Sequence, residues 1–439
     1  MLPQTLPTSS HAQTNPIHTT EGEQCKALNP RESRNENGRV ASSGLGLERM
    51  RRAEQVALQL VSGETREKLI TDDSWRSPAH ARLRWNGWGF ADTRFVLNSE
   101  GQMELTGSRY LYSGKVMPRF REWIEHRVGL SLDETWPAQT QCPVDAPLLN
   151  HDFINEIKGK VFLISISAAD RLDHGHGASF EDVYMLRYSK FPRVPDIVVY
   201  PQSVKEVELI VAAAARHNVV LIPYGGGTTV THAVHCPGQE KRCIASLDMQ
   251  EMNRVKWIDL ESMEVCIEAG AVGVDIEKHL NDRGLCLGHE PDSNEFSTLG
   301  GWVSTRASGM KKNKYGNIED LLLQVTIVTT QGTMVKSCHG PRMSTGIDIN
   351  QIVLGSEGNF GVITEAVLKV CKLPDVRDFG SVIFPDFESG VVFMHEVGLR
   401  RCAPASIRLV DNEQFVFGQA LKPANEAWVD DIADLMKKW

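Results

Sequence analysis

None of the nine cysteines forms a C-x-x-C pair; they are scattered at positions 25, 142, 236, 243, 266, 286, 338, 371 and 402. That excludes the common thiolate zinc patterns and the dithiol redox motif. An odd, dispersed set also fits a reducing compartment better than a disulfide scaffold. No apolar run reaches the length of a membrane span, and no secretory h-region opens the chain. Positive charge is not in surplus: 47 Lys and Arg face 56 Asp and Glu, a net charge of −9. Nothing therefore marks a nucleic-acid binder. There is no internal repeat. What remains is a 439-residue chain, 41% apolar and 23% charged. This is the composition of a soluble globular protein with room for two or three domains.

Residues 1 to about 45 are rich in Ser, Thr, Asn, Gln, Pro and Gly and show no periodic apolar face. Such a segment is predicted to be disordered. "ERMRRAEQVALQLV" (48–61) reads as a short amphipathic helix, and ordered structure is expected to begin at the aromatic "RWNGWGF" (84–90). Residues 100–190 mix short helices and loops. From 191 the texture changes. "DIVVY" is extended between Pro195 and Pro201, "SVKEVELIVAAAARHN" is a helix behind a Ser cap, and "VVLIP" is a short buried strand. "RCIASLD" and "MEVCIEAG" read as strands, and "GVDIEKHLNDRG" as a helix with Gly284 near its end. "LLLQVTIVTTQGTMVKS" reads as a hairpin turning at Gln331-Gly332, and "GVITEAVLKVCKLP" as the closing strand. After about 374 come a strand "SVIFP", a helix "FESGVVFMHEVGLRRC", a strand "ASIRLV" and a final helical run, "NEAWVDDIADLMKKW".

Three consecutive glycines, Gly225, Gly226 and Gly227, follow the "VVLIP" strand. Glycine tolerates positive φ and leaves room for close backbone approach, so the triplet predicts a loop wrapped around something. Three further segments share its small, hydroxyl-rich character. The first loop is Pro223, Tyr224, the three glycines, Thr228 and Thr229. The second is Asp292, Ser293, Asn294, Glu295, Phe296, Ser297 and Thr298. The third is Thr305, Arg306, Ala307 and Ser308. The fourth is Glu357, Gly358, Asn359, Phe360, Gly361, Val362 and Ile363. Successive backbone N–H groups in such loops make anion-binding nests, and hydroxyls add donors without bulk. A pyrophosphate needs both. Gly355, Gly358 and Gly361 are spaced G-x-x-G-x-x-G, but a strand follows them rather than the helix that a nicotinamide fingerprint requires.

From "PDIVVYPQSVKEV" through "IPYGGGTT", "GHEPDSNEFSTLGGWVSTRASG" and "VLGSEGNFGVITEA", residues 190–374 resemble the vanillyl-alcohol-oxidase type of FAD-binding family. Within it, "RWNGWGF", "STRASGMKKNKYGNIEDL", "GPRMSTG" and "RCAPASIRLVDN" are similar to the alkylglycerone-phosphate synthase family over 84–439. Tyr224 stands where an aliphatic residue is expected, and Asn359-Phe360 where Thr-Leu is usual. The resemblance implies an α+β fold whose two-subdomain FAD-binding domain (191–374) follows a disordered, targeting segment (1–80) and a helical region (81–190). The start of a substrate or cap domain (375–439) would come last.

The activity so implied is a step of ether-lipid synthesis. The acyl chain of acyl-dihydroxyacetone phosphate is exchanged for a long-chain fatty alcohol, through covalent work at flavin N5 and without net redox change. The four loops would hold FAD. Arg408, in "ASIRLV", matches an arginine important for activity and held near the flavin; Arg342, Lys311 and Lys312 are weaker candidates for phosphate contact, and the two lysines read rather as solvated basic residues. No metal is expected: His174 and His176 in "DHGHG" read as surface residues of a Gly loop, and His289 only as a neighbour of one loop. The family's catalytic tyrosine, histidine-rich loop and most of the cap would lie beyond the equivalent of Trp439, so the resemblance implies a C-terminally truncated chain. Peripheral membrane contact and a homodimer are further expectations. "RAEQVALQL" (Arg52–Leu60) approaches a type-2 peroxisomal signal, departing at Ala53, and the family is peroxisomal. Two alternatives stand: an FAD-dependent D-2-hydroxy-acid dehydrogenase, and a catalytically inactive flavoprotein that only binds a partner.

Overall fold

The hydroxyl of Ser203 starts the helix that organises the first half of the site. It accepts the Glu206 N–H at 3.3 Å and caps Val204–Arg216. Val207, Ile210, Val211 and Ala214 recur at helical spacing and are all buried, so one face is committed to packing. The structure, a computed structural model, describes residues 68–423 apart from 338, 339 and 345. These lie in the compact unit that begins at Thr65. The expected helices at 48–61 and after 424, and the targeting nonapeptide, fall outside the described residues.

That helix packs on a five-stranded sheet ordered β1-β5-β6-β8-β7. Its strands are β1 (Leu69–Ile70), β5 (Leu163–Ser165), β6 (Ile197–Tyr200), β7 (Val220–Tyr224) and β8 (Ile244–Asp248). β8 runs parallel to both β6 and β7. Every residue of β6 and β8 is buried, which is why both read as apolar runs rather than alternations. β1 and β5 precede residue 191, so the sheet reaches into the part of the chain that texture alone separates from it.

The second sheet is antiparallel and ordered β13-β12-β14-β10-β9. It is built from β9 (Val255–Asp259), β10 (Glu264–Glu268), β12 (Leu322–Thr329), β13 (Gly332–Val335) and β14 (Val362–Lys369). The β12–β13 hairpin pairs Thr329 with Gly332 across its turn. Val265, Ile267, Trp302, Val325 and Leu368 fill its core. Val328 and Val362, at the far end of this sheet, pack into the core of the first, which joins the two halves. A third, small sheet of β2 (Phe95–Leu97), β3 (Met103–Leu105) and β4 (Val116–Met117) carries the helix Phe120–Val128. β11 (Leu285–Cys286) and β15 (Cys371–Lys372) pair separately. The arrangement is α+β, with mixed helices and sheets.

Two expected strands are not strands. Neither "SVIFP" nor "ASIRLV" pairs with a ladder partner among the described residues; Val382 and Ile383 are exposed. An apolar or β-branched run specifies extension, whereas a strand needs a neighbour. The helix between them forms as expected, at Phe387–Leu399. The exposed Phe379, Ile383, Val392 and Leu399 make this region's bared apolar surface one of helix and extended chain, not of a sheet.

Candidate cofactor site

A cavity of about 450 Å³ opens where the loop after β7, the helix Leu299–Thr305 and the turn before β14 converge. Its size is that of a small-molecule site. The four sequence-predicted loops all reach it. Pro223 to Thr229 line it without a gap, as do Asp292, Ser297, Thr298, Thr305, Ala307, Ser308, Glu357, Gly358, Gly361 and Ile363. Ile222, Met249, Ala269 and Trp302 add apolar wall.

The other predicted residues lie off the lining. Ser293 turns the loop at φ +56 and its carbonyl accepts from Phe296 and Ser297. Asn294 packs against Gly273, with its Oδ1 buried and unpartnered. Glu295 lies by Tyr110, whose hydroxyl is pushed up in pKa first by burial and then by the Glu295 charge. Phe296 packs on Trp88 and Phe90, at ring distances of 5.2 and 4.8 Å, so the "RWNGWGF" aromatics brace this loop from behind. Arg306 ends the helix at φ +53 and pairs with Glu319. The Asn359 amide donates to the Ser356 carbonyl, Phe360 is exposed, and Val362 is core.

The glycine triplet has a sharper reason than tolerance of a ligand. A Cβ on Gly226 would lie 2.1 Å from the Phe296 carbonyl oxygen, and one on Gly225 2.4 Å from Thr298 Oγ1. Gly227, at φ +64, would put its Cβ 2.0 Å from the Tyr224 hydroxyl. The triplet therefore lets two loops of the chain touch backbone to backbone. That contact has a consequence for donors. Among the described residues, none of the N–H groups from Gly225 to Thr229 has a protein acceptor. At the helix Leu299–Thr305, by contrast, the Leu299 and Gly300 N–H groups donate to Ala271 and Ala269, and Gly301 donates to Thr298 Oγ1. Anion-binding capacity thus lies in the glycine loop. A row of free amides beside apolar walls fits a dinucleotide such as FAD, which has a pyrophosphate between two ring systems.

Beneath the loop lies a buried polar cluster that the sequence reading put on the surface. His174 is fully buried. Its Nε2 is 2.9 Å from Asp248 Oδ2, and its Nδ1 is 2.7 Å from the Asp170 carbonyl. Burial alone would lower its pKa, but the Asp248 hydrogen bond and the Asp170 charge outweigh it and raise the pKa to about 9. The His80 ring lies 4.7 Å from that of His174 at a tilt of 54°, and burial, then the His174 charge, push the His80 pKa well below the ordinary range. The Tyr224 hydroxyl donates to the Asp173 carbonyl at 3.0 Å. Tyr224 is thereby a strut between this cluster and the glycine loop, a role an aliphatic residue could not fill. A sequence cannot display this arrangement, since Asp248 is 74 residues from His174.

Arg408 is exposed, off the cavity lining, with Nη2 3.2 Å from Met310 Sδ. Lys311 pairs with Glu290, and Arg342 is exposed. His289 is fully buried against Trp302, at a ring distance of 5.2 Å, and neither ring nitrogen has a partner. Burial lowers its pKa to about 4. The cavity lining includes no His or Cys.

Residues 195–337 match the family model described as FAD binding domain. The chain is 50% identical over 358 residues to an alkyldihydroxyacetonephosphate synthase of Caenorhabditis elegans, covering 81% of this chain and 60% of the relative. It is 36% identical to the enzyme of that name from Dictyostelium discoideum, covering 82% and 60%. The chain thus spans about 60% of the length of these curated relatives. A solved alkyldihydroxyacetonephosphate synthase structure superposes with a TM-score of 0.75 at 33% identity, covering 82% of this chain and 68% of that one. With the loops, the cavity and the fold in agreement, the chain belongs to the alkyldihydroxyacetonephosphate synthase family and carries that family's FAD binding domain.

Proposed function

We propose that the protein is an FAD-dependent alkyl transferase of ether-lipid synthesis, exchanging the acyl chain of acyl-dihydroxyacetone phosphate for a long-chain fatty alcohol. The observation that carries this reading is the four-loop cavity with its row of uncommitted amides, in a chain of this family. When bound, the flavin supplies a nitrogen nucleophile and electron sink at substrate C1, so no net redox change is needed. The chain's own groups do the rest. Gly225 to Thr229 would hold the pyrophosphate through backbone N–H, and Ile222, Met249 and Trp302 would supply the apolar wall that keeps water from the site. Arg408, permanently charged with five donors, positions the anionic phosphate of the substrate and is not a proton acceptor. Delivery to the peroxisome through Arg52–Leu60 completes the proposal. No helix among the described residues is long and apolar enough to cross a membrane; peripheral contact with a membrane surface, where long-chain substrates reside, is part of the proposal. The homodimer also remains part of the proposal.

The test is to give acyl-dihydroxyacetone phosphate and radiolabelled hexadecanol to FAD-loaded protein extended to the full length of its relatives, since the 439-residue chain alone spans about 60% of them and is expected to make no ether. Label in an alkali-stable ether, with release of free fatty acid, is the expected result. Bleaching of the flavin by a D-2-hydroxy acid with no ether formed would replace the reading by the dehydrogenase alternative. Flavin that stays inert to both would leave a binding protein.

A further inference from the structure

The loop that follows the glycine triplet does more than line the cavity. His232 and His235 lie on it, one turn apart, with the His235 N–H donating to the His232 carbonyl. Their imidazoles stack at 4.3 Å with only 10° between planes. Stacking aligns the two edges, and both Nε2 atoms aim at the first turn of the helix Phe180–Tyr188. His235 Nε2 is 2.6 Å from Asp182 Oδ1, and His232 Nε2 is 3.4 Å from the Ser179 hydroxyl, which an incoming ion would displace, and 3.7 Å from Glu181 Oε2. The ligand atoms of His232, His235 and Asp182 all fall within 4.8 Å of one another. Asp182 is buried, and its second oxygen is held by the Ser179 N–H at 2.9 Å. One ligand is thus fixed in orientation, as a metal site requires of its carboxylate. His232 and Glu181 are the exposed, adjustable members.

We propose that His232, His235, Asp182 and Glu181 form a site for one divalent transition-metal ion of the zinc type. Two imidazole nitrogens and two carboxylate oxygens are a borderline donor set that zinc accepts in tetrahedral geometry. Ligand atoms around such an ion sit about 2 Å from it. Such ligand atoms lie about 3.3 Å from one another, so the 2.6 Å His235–Asp182 contact opens as the ion enters, while the 3.7 Å His232–Glu181 spacing closes by rotation of those two exposed side chains. The proton shared by His235 Nε2 and Asp182 leaves to solvent as the metal takes the lone pair; the two carboxylates balance the ion's charge. The second histidine–carboxylate cluster, His80, His174 and Asp248, differs. Both nitrogens of its His174 are already committed to Asp170 and Asp248, with no lone pair to offer.

The consequence reaches the cavity. Val230, Thr231, Ala233 and Val234 lie in the same loop and line it. An ion bound at His232 and His235 ties that wall to the helix Phe180–Tyr188, so metal and cofactor retention become coupled.

The experiment is a titration of the chelator-treated 439-residue protein with Co²⁺ alone, followed by displacement with Zn²⁺. One Co²⁺ per chain is expected, with visible bands of four-coordinate intensity and no thiolate charge-transfer band. His232→Gln, an exposed change that leaves the unfolding midpoint in place, should weaken binding at least tenfold, and His235→Gln should do the same. Zn²⁺ should slow FAD loss from the wild type and not from His232→Gln. Equal Co²⁺ binding by wild type and His232→Gln, or no Co²⁺ uptake by the wild type, overturns the site and leaves Asp182–His235 as an ion pair. Binding without any effect on FAD loss overturns the coupling alone.

Discussion

His174 Nε2 lies 2.9 Å from Asp248 Oδ2, with both side chains buried, and the His174 ring packs 4.4 Å from that of Tyr224. A charged pair thus sits under the strut that carries the glycine loop. The folded state holds a proton up to about pH 9, whereas an unfolded histidine releases it near ~6.5. The stabilisation is fully present below about pH 6.5 and is lost as pH rises through about 9. Denaturant unfolding of the wild type should therefore show stability falling over that window. His174→Asn should flatten the profile and cost about 3–5 kcal/mol at neutral pH, because Asp248 is left buried and unpaired.

Gly226→Ala should cost stability and flavin together. Its Cβ meets the Phe296 carbonyl, which is backbone and cannot step aside, so the two loops must separate at about 1–3 kcal/mol or more. Gly301→Ala is the control. It also lines the cavity, but its Cβ would meet only Thr298 Oγ1 at 3.4 Å. It should keep the wild-type midpoint while flavin absorbance reports whether the cofactor needs that space. Wild-type flavin occupancy and midpoint in Gly226→Ala would show the triplet to be a hinge.

FAD should leave the protein on acid denaturation. A covalent tether uses a His or Cys side chain, and the lining offers neither. Yellow colour that stays with the acid pellet would contradict this.

Arg408→His, in a chain extended to the full length of its relatives, should separate stability from activity. The residue is exposed and touches Met310 Sδ, so the unfolding free energy should change by no more than about 0.5 kcal/mol, with flavin content unchanged. Ether synthesis should fall about 10- to 100-fold, the worth of one charge-assisted contact to a phosphate. Near wild-type synthesis would make Arg408 an ordinary surface residue; misfolding would make it structural.

Legibility in the sequence followed the range of the interactions involved. The Ser203-capped helix, the β12–β13 hairpin and the glycine loop after β7 are local patterns, and the folded chain has them. The helix Leu299–Thr305 was missed because Gly300 and Gly301 lower helix propensity. Thr298, whose hydroxyl caps it, was the available signal. β9 was missed because Lys256 and Trp257 are both exposed in it, which blurs the alternation. "SVIFP" and "ASIRLV" have strand-like composition without a partner. The burial of His174 depends on Asp248 and Asp170, and the unpartnered nitrogens of His289 on Trp302 and Gly309. Such partnerships are absent from any window around the residue itself.

Phe417 packs against Trp123 at a ring distance of 4.8 Å, and Ala420 joins Met103, Met117 and Phe120 in the core of the small sheet. This sheet is therefore among the earliest parts of the described chain to be synthesised, yet its core closes with some of the latest. On the ribosome it must wait, its apolar face uncovered, while both larger sheets emerge and can assemble. The small sheet is where nascent chains would linger unfinished, and where a chaperone would find its grip.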